Sequence, residues 1–406
     1  MVKKKIDGHV NGTALSFNAL DSEERRPEIE KADLVFSMLP ARFHIEVAED
    51  CIDLKTNLIT PSYISPEMRA LDQKAKDAGI VIMNEIGVDP GIDHMSAMKI
   101  IHAIQNKGGK LTSFKSFCGG LVAPESDNNP WNYKFTWNPR NVVLAGQGGA
   151  ACFIRNGQYK YIPYNRLFGR LDNLSIPGYG DFVGYANRDS LSYRTTYGIE
   201  DIPTIFRGTL RRPGYCPAWD VFIELGMTDD TYTMVNTKDL TPRSFVNSFL
   251  PYNPNKKVED KFKEFLREDR LDLFDKFEWL EIFKDEPLIG IEDASPAQVL
   301  QKILVNKLSL DDGDKDMLVM IHEFEYELNG KSYGINSHMV NIGEDQLYTS
   351  MSNTVGIPAA ICAKMILTDV IKVKGVTLPV SAEIYNPILK ELEEYDIKFI
   401  EEETEL

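Results

Sequence analysis

The chain has 406 residues, 43% hydrophobic and 26% charged, a balance that fits a soluble globular protein of two or three domains of about 150 residues. Acidic side chains outnumber basic ones, 61 to 45, for a formal net charge of −16, which argues against nucleic acid or an anionic membrane as partner, since both require a basic face. The five cysteines (Cys51, Cys118, Cys152, Cys216 and Cys362) are scattered, odd in number and without Cys-x-x-Cys spacing, which excludes a disulfide scaffold or zinc ribbon and points to a reducing compartment.

In chain order, the basic N-terminus is followed by a polar run over residues 6–13 with no signal-peptide core, and no apolar stretch reaches the roughly 18 to 20 residues of a membrane span. A cytoplasmic location is the expectation. Residues 13–18 read as a short strand and 22–31 as a polar helix. Residues 33–39 read as an apolar strand closed by Pro40, 43–54 as a helix with apolar spacing, and 57–62 as a strand. Ser65 then announces a helix as N-cap with Pro66 in its first position, ending near Gly79, before a buried-type strand over 80–86. Strands alternating with helices of this length predict βαβ units and a doubly wound α/β sheet.

The middle of the chain is rich in Gly, Pro, Tyr and Trp, with strands expected at 113–118 and 204–210. Helical patterns dominate from about residue 229 to 310. Phe262, Phe265, Leu266, Phe274, Phe277 and Leu280 form one apolar stripe, and Ser295, Pro296 and Gln298 form a capping box that opens another helix. Strands at 318–328 and 331–341 are joined by Asn329-Gly330, a hairpin turn. Residues 350–372 predict a long apolar helix, and the tail from Glu391 is acidic and expected to be solvated.

A doubly wound domain opens with a strand, a glycine-rich turn and a helix that receives a pyrophosphate. Nothing before Thr13 reads as that unit. The one Gly-x-Gly-x-x-Ala string, at Gly146, Gly148 and Ala151 after the strand-like residues 141–145, is expected to be a plain glycine-rich turn because the residues after it turn again instead of continuing as a helix. In a sheet of order 3-2-1-4-5-6, a chain that begins at the third strand leaves apolar edges open. The expectation is an N-terminally truncated enzyme that lacks its pyrophosphate loop and is inactive as written.

Three segments carry a family resemblance: Thr-Pro-Ser-Tyr-Ile-Ser-Pro at 60–66, MNEIGVDPGIDH at 83–94 and FCGGLVAPESDNNPWNYKFTW at 117–137. With Arg207-Gly208-Thr209-Leu210-Arg211 and Thr354-Val355-Gly356-Ile357-Pro358, they resemble saccharopine dehydrogenase of the glutamate-forming type, from about residue 10 to the end. The resemblance implies a Rossmann-like domain, incomplete at its N-terminus, over residues 1–95 and 350–406. It also implies an α+β substrate-binding and dimerisation domain over 96–228 and 316–349, carrying a helical insertion over 229–315. It implies interconversion of saccharopine with L-glutamate and 2-aminoadipate 6-semialdehyde by hydride transfer to an imine, with NADP as cofactor (NAD left open) and a homodimer as the assembly. Such a site must bind three carboxylates and keep water from the hydride transfer.

Arginine suits carboxylates because its planar fork pairs bidentately, which singles out Arg188, Arg207 and Arg211 over Arg212. The resemblance places Ser62, Tyr63, Asp89, Arg188, Gly208, Thr209, Leu210 and Arg211 at the substrate. It places Ser37, Met38, Leu39, Pro61, Val88 and Trp137 along the cofactor, although Trp137 suits ordinary core packing nearly as well. Asp89, at the end of an apolar strand, is expected to be the N-cap of a helix beginning at Pro90 and to accept or relay a proton near the substrate nitrogen. Cys118 is placed with Asp89 in the catalytic set, lining the cleft, without a histidine spaced for covalent nucleophilic catalysis. His44 and His94 come into view only as metal ligands, and no HExxH-like spacing supports a metal site. The alternatives are a carboxynorspermidine-type reductase, which the CGG…APES…YKF segment disfavours, and an inactive copy that binds a ligand or a partner.

Overall fold

The structure is a computed structural model, and it describes residue 6 and residues 8–406. Its strands are β1 (Leu34–Phe36), β2 (Asn57–Ile59), β3 (Val81–Met83), β4 (Lys110–Val122), β5 (Ala151–Arg155), β6 (Gln158–Ile162), β7 (Leu171–Ile176), β8 (Gly180–Ala186), β9 (Thr204–Arg211), β10 (Asp316–Leu328), β11 (Lys331–Ile342), β12 (Gly375–Thr377) and β13 (Ile400–Glu405). They fall in two compact units: the chain up to Met95 with Val355–Leu392, and Ser96–Thr354 with Glu393–Leu406.

The first unit is built on a parallel sheet of order β1-β2-β3-β12. Leu34 to Phe36 lie beside Asn57 to Ile59, and Val81 to Met83 lie beside Gly375 to Thr377. Helices Ser22–Glu30, His44–Leu54, Pro66–Ala70 and Asp72–Ala78 accompany the strands. The apolar stripe of His44–Leu54 buries Val47, Ala48 and Cys51 in one cluster with Ile29, Leu58, Met68, Ala75 and Ile82. Each fully buried aliphatic side chain there is worth roughly 1.5–3 kcal/mol. Side chains finish the sheet where the ladder stops: Asn57 Oδ1 accepts the Val81 N–H at 3.0 Å, and Asp72 Oδ1 accepts the Val376 N–H at 2.9 Å.

Several predicted elements are present in shortened form. Ser65 caps its helix by accepting the Met68 N–H, and Gly79 ends the next at a left-handed φ of 75°, but the helix breaks at Leu71. Residues 13–18 form no strand: they are almost wholly exposed, and no neighbour pairs with them among the described residues.

The second unit is a nine-stranded mixed sheet of order β13-β11-β10-β4-β9-β5-β6, with β7 and β8 attached through β9. β4 and β9 run parallel and bring Cys118 beside Thr209. The hairpin forms where Asn329 and Gly330 predict it, both with positive φ, and Leu328 pairs with Lys331. The core is aromatic: Trp131 stacks on Phe222 at 5.7 Å and meets Phe277 edge-on at 5.6 Å. Helices Val258–Leu266 and Phe274–Trp279 bury Phe262, Leu266, Phe274 and Phe277 from the predicted stripe. The Ser295 capping box is complete, with Gln298 returning a bond to the Ser295 N–H at 2.8 Å.

Three expectations are corrected here. Residues 141–145 are not a strand, since Asn138 caps a short helix, Pro139–Val143. The acidic tail is more than solvated chain: residues 400–405 pair with β11 as β13, their side chains exposed, and Lys99 and Lys331 offset the charge of Glu401 and Glu405. That pairing places 393–406 in the second unit, not with the parallel sheet. Among the described residues no helix is long and apolar enough to cross a membrane.

Candidate active site

In the first unit the predicted residues gather at the carboxyl ends of the parallel strands, where open α/β sheets bind ligands. β1 ends at Phe36 and leads into Ser37-Met38-Leu39; β2 ends at Ile59 and leads into Thr60-Pro61-Ser62-Tyr63. The Ser37 hydroxyl is buried, whereas Met38 is 62% exposed and Tyr63 48%.

The Tyr63 hydroxyl donates to Asp89 Oδ1 at 3.0 Å. Asp89 is not the N-cap of the following helix, which begins two residues after Pro90, at Ile92. The Gly91 backbone (φ 147°) lies so close to Gly87 that a Cβ there would come within 2.1 Å of the Gly87 carbonyl oxygen. The Gly87 and Val88 carbonyls accept the Ile92 and Asp93 N–H groups. A close loop therefore replaces the expected helical turn and carries Asp89 beside Tyr63.

Sequence reasoning missed two residues that hold this edge. Glu85, buried and left-handed at φ 58°, accepts the Ile64 N–H on Oε1 at 2.9 Å and meets His94 Nε2 through Oε2 at 2.7 Å. Its own N–H donates to the Ser62 carbonyl at 3.2 Å. His44, inspected above only as a metal ligand, contacts the hydroxyls of Ser37, Thr60 and Ser62. A polar side chain immediately after an apolar strand was the available signal for Glu85, within MNEIGVDPGIDH.

The second unit holds the remaining predicted residues. Cys118 is buried on β4, with Gly119 packed so closely against β9 that a Cβ would meet the Leu210 carbonyl oxygen at 2.7 Å. Arg207, Thr209 and Arg211 alternate with Gly208 and Leu210 along β9, so they share one face of the sheet. Arg207 lies over the Tyr193 ring at 3.9 Å.

Arg211 is 3% exposed and surrounded by the rings of Tyr133, Tyr185 and Tyr215, 5.2 to 5.8 Å from its guanidinium carbon. It donates to the Leu210 carbonyl at 2.7 Å, its Nε has no partner, and no carboxylate pairs with it among the described residues. Burial raises the Tyr133 phenol to about 12, and Tyr185 and Tyr215 upward as well, so the rings stay neutral and supply no counter-charge.

Arg188 differs: its guanidinium is exposed and makes no ion pair among the described residues, on a braced segment. Asn187 N–H donates to the Arg207 carbonyl, Cys152 N–H to the Arg188 carbonyl, and Ser190 Oγ accepts the Arg207 N–H at 2.9 Å. Trp137 is 43% exposed, which removes core packing as its role.

A dinucleotide is matched only in part. The half-exposed aromatic and thioether side chains beside buried hydroxyls at the ends of β1 and β2 suit its flat and ribose portions. A strand, glycine turn and helix N-terminus for the pyrophosphate are not found among the described residues. The Gly146–Ala151 string leads into β5 and not a helix, as expected from its sequence.

A parallel α/β unit with ligand-type groups at its strand ends, continued by a mixed-sheet unit with arginines along one strand, has the build of a Rossmann-type oxidoreductase. Residues 2–83 match the model of the saccharopine dehydrogenase NADP binding domain, and residues 87–397 that of the saccharopine dehydrogenase C-terminal domain. The chain is 35% identical over 399 residues to saccharopine dehydrogenase [NADP(+), L-glutamate-forming] of Saccharomyces cerevisiae, covering 96% of this chain and 89% of that one. It is 35% identical over 424 residues to alpha-aminoadipic semialdehyde synthase of Arabidopsis thaliana, covering 98% of this chain and 39% of the longer protein. The solved structure of apo saccharopine dehydrogenase (L-Glu forming) from Saccharomyces cerevisiae superposes with a TM-score of 0.90 at 33% identity, covering 99% of this chain and 91% of that one. The chain belongs to the saccharopine dehydrogenase family.

Proposed function

We propose that this protein is an NADP-dependent saccharopine dehydrogenase of the L-glutamate-forming type, acting in lysine metabolism on saccharopine, glutamate and 2-aminoadipate 6-semialdehyde. The observation that carries the reading is the Tyr63–Asp89 pair at the strand ends, within a chain that matches family members over nearly its whole length.

Asp89 is assigned the proton at the substrate nitrogen. The Tyr63 hydroxyl donates to its carboxylate and holds it in one orientation. Arg188 and Arg211 take substrate carboxylates, Arg188 from an exposed position and Arg211 as a buried charge that lacks an anion. Ser62 and the Gly208–Leu210 backbone add hydrogen bonds, and Cys118 is a packing contact beside Thr209. Ser37, Met38, Leu39, Pro61, Val88 and Trp137 are assigned to the cofactor. NADP, when bound, carries the hydride to or from the carbon of the C–N bond.

Roles follow for the two units: the parallel-sheet unit for cofactor, and the mixed-sheet unit, with its helical insertion at 229–315, for substrate and dimerisation. Exposed Tyr159 and Tyr161 on the edge strand β6 support a homodimer through this sheet; a monomeric mass by light scattering would overturn it. Five free cysteines support a cytoplasmic setting, which localisation of a tagged chain tests. The NADP-binding match over residues 2–83 weighs against a chain inactive as written; calorimetric titration with saccharopine and NADPH, paired with an assay of saccharopine-dependent NADP+ reduction, tests the activity. Saturable saccharopine binding that weakens in Arg188→Ala is the expected result; neither binding nor turnover would sink the reading.

A further inference from the structure

Three hydroxyls from the carboxyl ends of two adjacent strands converge on one imidazole. His44, the first residue of helix His44–Leu54, is 3% exposed. Its Nδ1 lies 2.8 Å from Ser37 Oγ, and its Nε2 lies 2.9 Å from Ser62 Oγ and 3.1 Å from Thr60 Oγ1. The two ring nitrogens face opposite strand ends, so the ring cannot turn without breaking contacts on both sides. Among the described residues the ring is the only hydrogen-bond partner of the Ser62 hydroxyl, which is itself half-buried and next to Tyr63. Burial also holds the imidazole below its ordinary pKa, so at neutral pH it carries one N–H and one lone pair.

A neutral ring between hydroxyls dictates the sense of each contact. With the proton on Nε2, His44 donates between Ser62 at 2.9 Å and Thr60 at 3.1 Å, and the Ser62 proton is then free to point outward as a donor. With the proton on Nδ1, the one Nε2 lone pair takes a proton from Ser62 or Thr60, and a Ser62 that donates inward presents only lone pairs. Ser37 decides between them: it is buried, its hydroxyl proton needs an acceptor, and Nδ1 is the only one beside it among the described residues. A substrate rich in carboxylates needs donors.

We propose that His44 is a positioning residue that fixes the rotamer of Ser62 and makes its hydroxyl a hydrogen-bond donor to a substrate carboxylate. This rests on the saccharopine reading above and extends it to a residue outside the groups assigned there to substrate and cofactor.

The test is a double-mutant cycle on the full chain, read by calorimetric saccharopine binding, with His44→Leu, His44→Gln, Ser62→Ala and the His44→Leu/Ser62→Ala pair. His44→Leu is expected to weaken binding about tenfold, the scale of one hydrogen bond to a charged group. His44→Gln is expected to restore part of that loss, and the double variant to bind no more weakly than Ser62→Ala alone. Independently, the 15N spectrum of the unmodified protein should show a pyridine-type Nδ1 and a pyrrole-type Nε2 for His44. Additive losses, or the opposite tautomer, overturn the inference while unmodified protein that binds saccharopine leaves the functional reading standing. No binding by the unmodified protein overturns both. Should His44→Leu fail to fold, His44→Gln and the tautomer still decide.

Discussion

Glu85 and His94 meet at 2.7 Å, both buried, one residue pair behind the Tyr63 loop. The other carboxylate oxygen takes the Ile64 N–H, and the Glu85 N–H reaches the Ser62 carbonyl, so a single residue clamps the chain on both sides of Tyr63. It does so from a left-handed backbone that costs a non-glycine residue about 1–2 kcal/mol.

Glu85→Gln should therefore loosen Tyr63 as well as the fold. Unfolding in urea is expected to lose about 1–3 kcal/mol, the cost of a buried group left poorly paired. The saccharopine KM should rise more than kcat falls, because the clamp positions a contact and handles no proton. Unchanged kinetics with reduced stability would leave Glu85 a purely structural residue.

Tyr63→Phe and Asp89→Asn divide orientation from proton transfer. Removing the hydroxyl should lower kcat/KM about tenfold while keeping the acid limb of the pH–rate profile, since the carboxylate loses the donor that orients it. Asp89→Asn should lower kcat further and abolish that limb. An Asp89→Asn enzyme with the profile and rate of the unmodified one would remove Asp89 from the chemistry.

Arg211→Met tests whether the tyrosine-lined guanidinium is kept for ligand or for fold. A buried charge without a carboxylate partner is expensive to desolvate, and a shape-matched apolar replacement is often neutral or stabilising. Urea unfolding should show stability kept or raised by about 1 kcal/mol, with saccharopine affinity down more than about tenfold. Lower stability with intact affinity would assign Arg211 to the core.

Acid should loosen the first unit through Asp50. Burial alone would raise its pKa, but hydrogen bonds from Arg25 at 2.8 Å and Arg26 at 2.6 Å outweigh that and hold it below the ordinary value. A folded-state pKa below the unfolded one means stability is present above the ordinary aspartate range and is lost as pH falls from about 4 through the folded value. Asp50→Asn should cost about 1–3 kcal/mol at neutral pH, leaving buried Arg25 its longer ion pair with Glu46 at 3.8 Å, and should flatten stability below about pH 4. Urea titrations across that range read both.

Local chemistry made much of this legible. Asn329-Gly330 turned where two positive φ angles were needed, and Ser295 with Gln298 closed the box their spacing implies. Long-range pairing was harder to read. Residues 13–18 alternate like a strand, but without a neighbour the pattern has no ladder to join. The acidic residues 400–405 looked solvated because their side chains are, while their backbone pairs with β11. In the site, residue types suited to carboxylates were visible, as were the strand ends that carry Ser37, Ser62 and Tyr63. His44 and Glu85 were not, because each acts on groups that only folding brings within reach. The Asp89 helix cap failed for a backbone reason, the contact of Gly91 with Gly87.

Val81 of β3 has Gly375 of β12 as its partner. On the ribosome, the parallel sheet must therefore wait: β3 emerges long before β12, the strand that covers its open side. Throughout that interval the apolar Val81-Ile82-Met83 edge is a template for any extended chain nearby. A premature stop before residue 375 would leave that edge permanently bare, so such products should be chaperone-bound or aggregated even though the long mixed-sheet segment before them had been synthesised.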